Sequence, residues 1–585
     1  MCGIAGISNF HSNINDHINI INNFQNDLFH RGPDASGFFI SDSKTALLCH
    51  TRLSIIDTSK NANQPIISSD KRFSIIFNGE LYNYKELRTK ISKKYSLKTE
   101  SDTEVLLYMY MEYGKDCLEH FSGMFSFAIW DNYKQEIFIA RDPLGIKPLY
   151  YHFNNNKLIF SSELRALIKS NQFNSSLNYD AINSYLLSGY FHEPSTIINE
   201  VYLLEAGHYI IHNKNSFINN KYYDAYLEID KLDISRKETH ARIDSIFTDT
   251  IKNHLESDVP LGIFLSGGID STSVLSKASE FEEINTISIG FHEKKWNESD
   301  TAKKISGHFK TNHHEYIISE QEARESINDF LDSIDQPSVD GFNTYFISKF
   351  TKQLGYKVVL SGLGGDELFG GYSSFRRMEL INNYLKFKKL IPIDFFVKKM
   401  FKENKSRLID LINSEDLYQS YIALNGVFSK NEAQEKMIEN FNVDKFDYPT
   451  LNELTNNSKN INSITRDLEL NNYLKNQLLR DSDVFSMRWS TEIRTPFIDK
   501  NFITEIRKLP DKYIFEKNKT ALVSSLKLPT HLLNKKKQGF TFPFEKWIKS
   551  DFGDMLGNYD FSDKNVHWYK IWTLFVLKSW INKNI

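Results

Sequence analysis

An alternation that begins at Val259 constrains the fold of this chain more than any other feature. Apolar runs of strand length, PLGIFL, NTISIGF, HHEYII and KVVL, are separated by helical patterns such as STSVLSKASEF and SDTAKKISGHF. Strand, helix, strand, helix in that order predicts right-handed crossovers and a parallel sheet covered on both faces. Residues 375–585 read as mostly helical. The first 210 or so residues have another texture: short β-type runs such as RFSIIFNGE, MFSFAIW and QEIFIARDPLG, divided by turns, with one helix expected over 102–112. The polar stretch HNKNSFINNK at 212–221 reads as a surface turn, followed by a helix over about 236–255. Two units are expected, 2–212 and 235–585.

A chain of 585 residues has material for several folding units, and its net charge of −3 disfavours a nucleic-acid binder working through bulk charge. No apolar run approaches the roughly 18–20 residues needed to span a bilayer, so no transmembrane helix is expected. The start, MCGIAGISNF, lacks the basic and apolar regions of a secretory signal, and a cytoplasmic location is expected. Three cysteines, Cys2, Cys49 and Cys117, cannot build a disulfide framework, and none lies in a CxxC pair.

Cys2 is the thiol that matters. If the initiator Met1 is removed, as so small a neighbour permits, one residue carries both a thiol and a free α-amine. A model α-amine titrates near roughly 7.7–8.0, so on the order of a tenth to a fifth is unprotonated at neutral pH and able to take the thiol proton. The alternative is an inert cysteine in a buried strand.

The company Cys2 keeps is CGIAG at 2–6, HRGPD at 30–34, RLSIID at 52–57, NGELYN at 78–83 and SDTE at 101–104. In order and spacing these resemble the class II glutamine amidotransferase domain, an α+β N-terminal-nucleophile hydrolase with a four-layer αββα fold. The resemblance implies that Cys2 attacks the glutamine amide while the Asn78 amide and the Gly79 N–H form an oxyanion hole, the pair of donors that acyl transfer needs. It assigns glutamine binding to Arg52, Glu80 and Asp102, with Arg52 on the α-carboxylate and Asp102 on the ammonium.

SGGIDS at 266–271 lies between an apolar strand pattern and a helix, where backbone N–H groups and the helix N-terminus can cradle phosphate. It resembles the pyrophosphate loop of N-type ATP pyrophosphatases, which carry a doubly wound parallel α/β sheet. SGLGGDELFGGY at 361–372 follows KVVL and brings Asp366 and Glu367 towards the carboxyl edge of that sheet. Together with MRWSTEIRTPFID at 487–499 and NKKKQGFTFPFEKW at 534–547, these motifs resemble glutamine-hydrolysing asparagine synthetase over almost the whole chain. The resemblance implies ATP contacts at Ser266, Gly267, Gly268, Asp270, Ser271, Ile289, Ser361, Gly362 and Lys537, and Mg²⁺ on Asp270 and Asp366. It also implies small-molecule substrates, namely glutamine, ATP and a carboxylate acceptor, with aspartate first among acceptors. No nucleic acid is implied, and a homodimer is among the assemblies open to the chain.

One position departs from the family. Asparagine synthetases commonly carry a glutamate where this chain has Leu363, and an aliphatic side chain can neither accept a proton nor pair with ammonium. The neighbouring DQPSVDGFNTY at 335–345 is also unlike the usual segment. Both features resemble relatives found with surface-polysaccharide genes, which amidate other carboxylates such as a uronic acid. The basic, apolar stretch at 384–407 reads as a solvated helix face, with contact to an anionic membrane or a partner as its alternative.

Overall fold

The computed structural model describes residues 2–10, 14–227, 229–293, 296–388, 405–445, 460–534, 543–547 and 567–585. The amino-terminal part is built on two six-stranded antiparallel sheets. In the first, the strand Cys2–Ser8 lies between Lys157–Ser161 and Ala46–Arg52; in the second, Phe73–Leu81 lies beside Gly123–Asp131.

Side chains alternate between the faces of a strand, so every strand divides its residues between two layers. Ile4 and Ile76 point into a core shared by the two sheets, with Trp130, Ile139 and Phe160. Ala5 and Ile7 face the other way, onto the helix Ile14–Leu28. Ile75 and Phe77 face the helices Tyr84–Ile91 and Asp102–Tyr113. The result is the expected four-layer αββα sandwich.

The second unit contains a five-stranded parallel sheet, ordered Asn312–Ile318, Asn285–Phe291, Leu261–Phe264, Val358–Leu360, Glu492–Arg494. In chain order this is three, two, one, four, five, so the winding reverses between Leu261–Phe264 and Val358–Leu360. Ligands of open α/β sheets bind outside the carboxyl ends of the strands at such a reversal. SGGIDS leaves the first of these strands and SGLGGDE leaves the second.

The structure departs from the sequence expectation in three places. Residues 212–221 are not a simple surface turn. His208–Asn213 and Ser216–Lys221 form a hairpin whose outer strand is polar because it is an exposed sheet edge. The helix Ile14–Leu28 goes unannounced because its many asparagines lower helix propensity, although His17, Ile20, Ile21, Phe24 and Leu28 are buried at helical spacing. The mostly helical carboxyl-terminal part also supplies a sheet strand, Glu492–Arg494, which has a single apolar residue and no strand pattern to find. The helix expected over 236–255 is present as Arg236–His254 and begins with a capping box of Ser235 and Glu238. Among the described residues no helix is long and apolar enough to cross a membrane.

Buried charges bind the two units. The Arg31 guanidinium is fully buried; its Nε donates to the Cys2 carbonyl at 3.1 Å, Nη1 to Glu163 at 3.1 Å and Nη2 to Asp483 at 2.8 Å. Lys147 approaches Asp483 from the other side at 3.4 Å. Removing one partner of such a cluster leaves buried charge uncompensated, at a cost of about 3–5 kcal/mol. Arg31→Met is therefore expected to lower the unfolding temperature by several degrees, as read by differential scanning fluorimetry, and a change below one degree would contradict this account.

Candidate active sites

Cys2 and Asn78 sit on strands of different sheets, but each shares the strand face of a residue in the inter-sheet core, Ile4 and Ile76 respectively. They meet at the mouth of the sandwich, where the Cys2 backbone N–H donates to Asn78 Oδ1 at 3.0 Å. Asn78 Nδ2 makes only a long bond, 3.4 Å, to Ser126 Oγ. Arg52 lies directly opposite Cys2 in the strand register. Its fork donates to the Ser59 carbonyl at 2.8 Å, to Asn63 Oδ1 at 2.7 Å and to the Asp57 carbonyl. These bonds fix the position of the guanidinium on the residue paired with Cys2.

Asp102 opens its helix next to the N-cap Ser101 and accepts the Leu81 N–H at 3.1 Å, which fixes it to the end of the Asn78 strand. Burial pushes its carboxyl up to about 6. Gly79 follows Asn78 where the backbone of Gly123–Asp131 comes close; a Cβ there would lie 2.1 Å from the Met124 carbonyl oxygen. Glu80 is 2% exposed, and one of its oxygens accepts from Arg494 at 3.2 Å while the other has no hydrogen-bond partner among the described residues. Burial, opposed by Arg494, drives the Glu80 carboxyl well above its usual range. Cys2, Asn78, Gly79, Arg52, Glu80 and Asp102 are thus brought into one locality.

In the second unit the SGGIDS loop closes on itself. Ser266 Oγ and Ser271 Oγ are 3.2 Å apart, and Gly268 N–H donates to Ser266 Oγ at 3.3 Å before the helix Ile269–Ala278 begins. Ser361 follows the neighbouring strand, and a Cβ on Gly362 would lie 2.6 Å from the Ser271 nitrogen, so the two loops are packed together. Ile289 is buried in the adjacent strand Asn285–Phe291. Lys537 lies outside the described residues.

Two participants have no counterpart in the sequence reading. Lys519 Nζ stands 2.6 Å from both oxygens of Asp270 and also pairs with Asp366, so the two carboxylates expected to share Mg²⁺ converge on one point. A lysine in the turn-like KNKT run has no local pattern to distinguish it; only the fold brings it there. Arg494 likewise stands between Glu492, at 2.7 Å, and Glu80. Its sole signal was membership of the MRWSTEIRTPFID motif.

The DQPSVDG segment is largely spent on the joint between the units. Asp335 accepts the Leu164 and Arg165 N–H groups at 2.9 Å each, capping the helix Leu164–Lys169, and Gln336 accepts the Ile197 N–H at 2.8 Å. Leu363 packs against an apolar cluster that contains Ile498, Leu470 and Leu474 from the second unit and Tyr82, Met124 and Ile146 from the first.

Residues 1–223 match the family model of the glutamine amidotransferase domain, and residues 242–567 match that of asparagine synthase. Asparagine synthetase [glutamine-hydrolyzing] 1 of Bacillus subtilis is 30% identical, covering 100% of this chain and 97% of its own length. A putative asparagine synthetase [glutamine-hydrolyzing] 2 of Methanocaldococcus jannaschii is 36% identical over 72% of this chain and 87% of its own. Asparagine synthetase B [glutamine-hydrolyzing] of Escherichia coli is 30% identical over 60% of each.

All three cysteines are free and buried, but Cys2 retains 7% exposure against 1% for Cys49 and 0% for Cys117. Burial raises all three thiols, and at Cys2 the Leu53 N–H and Arg52 oppose it. Iodoacetamide on the native protein should therefore alkylate Cys2 first, as read by peptide mass spectrometry. Equal labelling of Cys49 or Cys117 before unfolding would contradict this ranking.

Proposed function

The chain belongs to the glutamine-hydrolysing asparagine synthetase family, ligases that form a carbon–nitrogen bond with glutamine as amide donor, and from that premise we propose that it converts aspartate to asparagine. Glutamine hydrolysis at Cys2 supplies ammonia, and ATP activates the acceptor as an acyl-adenylate. The observation that carries the reading is the buried bridge of Glu80, Arg494 and Glu492. It runs from the strand bearing Asn78 to the sheet edge beside the nucleotide loops.

At the first site the burial of Cys2 raises the thiol, so a standing thiolate is disfavoured and a base must take the proton during attack. The α-amine of Cys2, once Met1 is gone, is that base, and Asn78 Oδ1 orients its nitrogen. Attack on the glutamine carbonyl builds an oxyanion, which takes the Asn78 amide from its long bond to Ser126 because a charge-assisted hydrogen bond is the stronger. Collapse of this tetrahedral intermediate breaks the C–N bond, the proton taken from the thiol leaves with the nitrogen as ammonia, and water then frees glutamate from the thioester that remains. Arg52 holds the glutamine α-carboxylate and Asp102 its ammonium.

At the second site the Ser266–Ser271 loop cradles the ATP phosphates at the helix N-terminus, and the acceptor carboxylate attacks the α-phosphate, breaking the bond to the β-phosphate so that pyrophosphate leaves and the acyl-adenylate remains. A carboxylate is a poor electrophile, and the bond to AMP provides the leaving group that ammonia displaces. Asp270 and Asp366 fit a hard divalent cation, since their oxygens converge on one cationic centre and Mg²⁺ is usually held by one or two carboxylates together with substrate phosphates. When bound, Mg²⁺ would neutralise phosphate charge.

A second reading keeps this chemistry and changes the acceptor to another carboxylate, such as a uronic acid of a surface-polysaccharide precursor. Its support is Leu363, which stands in an apolar cluster where the family commonly has a glutamate.

Pyrophosphate release measured across candidate carboxylates tests both readings. Aspartate is expected to give the largest signal, and a uronic acid exceeding it would select the second. Cys2→Ala should lose glutamine-supported amidation by about a thousandfold or more and keep ammonium-supported amidation; loss of both would refute the two-site assignment.

Asp102 gives a pH test. Its carboxyl is raised to about 6, so the ion that meets the substrate ammonium is present above that pH and lost below it. The glutaminase KM for glutamine should rise about tenfold per pH unit below 6, and Asp102→Asn should hold KM high with that dependence removed. A flat wild-type KM from pH 5 to 7 would remove Asp102 from glutamine binding.

A further inference from the structure

Lys519 occupies an unusual position. It is 5% exposed and its ammonium lies against both oxygens of Asp270, at 2.6 Å each, while also pairing with Asp366. Burial works against the charge, but the two carboxylates outweigh it and raise the lysine above its ordinary value.

The surrounding cage is glycine-lined and tight. A Cβ on Gly365 would lie 2.5 Å from Asp270 Oδ1, and one on Gly371 would lie 1.8 Å from Asp366 Oδ1 and 2.5 Å from Lys519 Cε. The backbone that delivers the ammonium is strained as well. Asn518 and Lys519 are successive non-glycine residues in the left-handed region, at φ 56° and 53°.

We propose that Lys519 is a resident stand-in for the divalent cation. Its ammonium pairs with Asp270 and Asp366 until the metal loads with ATP, and that loading exchanges the ammonium off the carboxylates and onto the phosphates held by the adjoining loop. The inference rests on the metal reading of Asp270 and Asp366 given above and deepens it.

Its physical basis is charge and space. The ammonium stands where the oxygens of both carboxylates converge, so a divalent cation that takes those oxygens must move it. A metal arriving alone must part a buried ammonium from both of its carboxylate partners. A metal arriving with phosphates brings an anion with it. The strained left-handed pair at 518–519 gives the lysine a second backbone state to relax into once it leaves.

The consequence is that metal and nucleotide load together, and that the lysine enforces this coupling. The test is Mn²⁺ binding followed by electron paramagnetic resonance, with and without a non-hydrolysable ATP analogue, on the full-length wild type and on Lys519→Met and Lys519→Gln. The glutamine variant keeps a hydrogen-bond donor for the carboxylates and guards against a methionine variant that fails to fold.

In the absence of nucleotide, Lys519→Gln is expected to bind Mn²⁺ about tenfold or more tightly than the wild type, and Mn²⁺ should raise the unfolding temperature of the variant alone. Wild type that binds Mn²⁺ without nucleotide as tightly as the variants overturns the stand-in role and leaves the metal site intact. Mn²⁺ bound by none of the three proteins, even with the nucleotide analogue, overturns the metal site itself.

Discussion

One buried guanidinium sets the relation between the two halves of this molecule. Arg31 holds the carbonyl of Cys2 and, through Asp483, a helix of the second unit. The position of Cys2 is thereby tied to the packing of the synthetase unit as well as to its own strand. Buried ion pairs contribute little net stability, because desolvation consumes most of the Coulombic gain. What they do contribute is geometry, since a misplaced partner leaves a bare charge in the interior. Arg494 between Glu80 and Glu492, and Lys147 beside Asp483, repeat the device along the same joint.

The second centre depends on topology more than on charge. The winding order of the parallel sheet leaves two loops side by side at the reversal, and the glycines of SGGIDS and SGLGGDE let their backbones touch. Asp270 and Asp366, nearly a hundred residues apart in the chain, therefore face one cation. Neither loop alone could present both carboxylates to that cation, and the sheet supplies the missing half of each.

The fold was legible where local pattern and tertiary role agree. The strand–helix alternation after Val259 is visible because parallel strands are buried on both faces and read as apolar runs. The glutaminase locality was legible through resemblance, and the strand faces of Cys2 and Asn78 supply its physical reason. What escaped were residues whose role exists only across the fold. Glu492–Arg494 is a strand without a strand's sequence, because its flanking charges are satisfied by each other and by Glu80. Lys519 is one lysine in a lysine-rich turn, distinguished only by the carboxylates that the sheet brings to it. The helix Ile14–Leu28 was hidden by asparagines that occupy its exposed face while the apolar stripe does the packing.

The joint between the units also bears on why the two chemistries share a chain. Ammonia released at neutral pH into bulk water is mostly ammonium and no longer a nucleophile, so transfer must proceed where water is scarce. Between the buried ion pairs lies an apolar cluster that takes Tyr82, Met124 and Ile146 from the first unit and Leu363, Leu470 and Ile498 from the second. Charges at the margin fix the geometry, and the cluster between them is hydrocarbon. Leu363 extends this apolar cluster to the loop of Asp366, and its aliphatic side chain cannot supply the base that a glutamate would provide there. On the proposed chemistry the proton released as the amide forms must then pass to another group of that loop. Asp366 is engaged by Lys519, whereas Glu367 is buried and accepts a hydrogen bond from the Tyr372 hydroxyl at 2.7 Å.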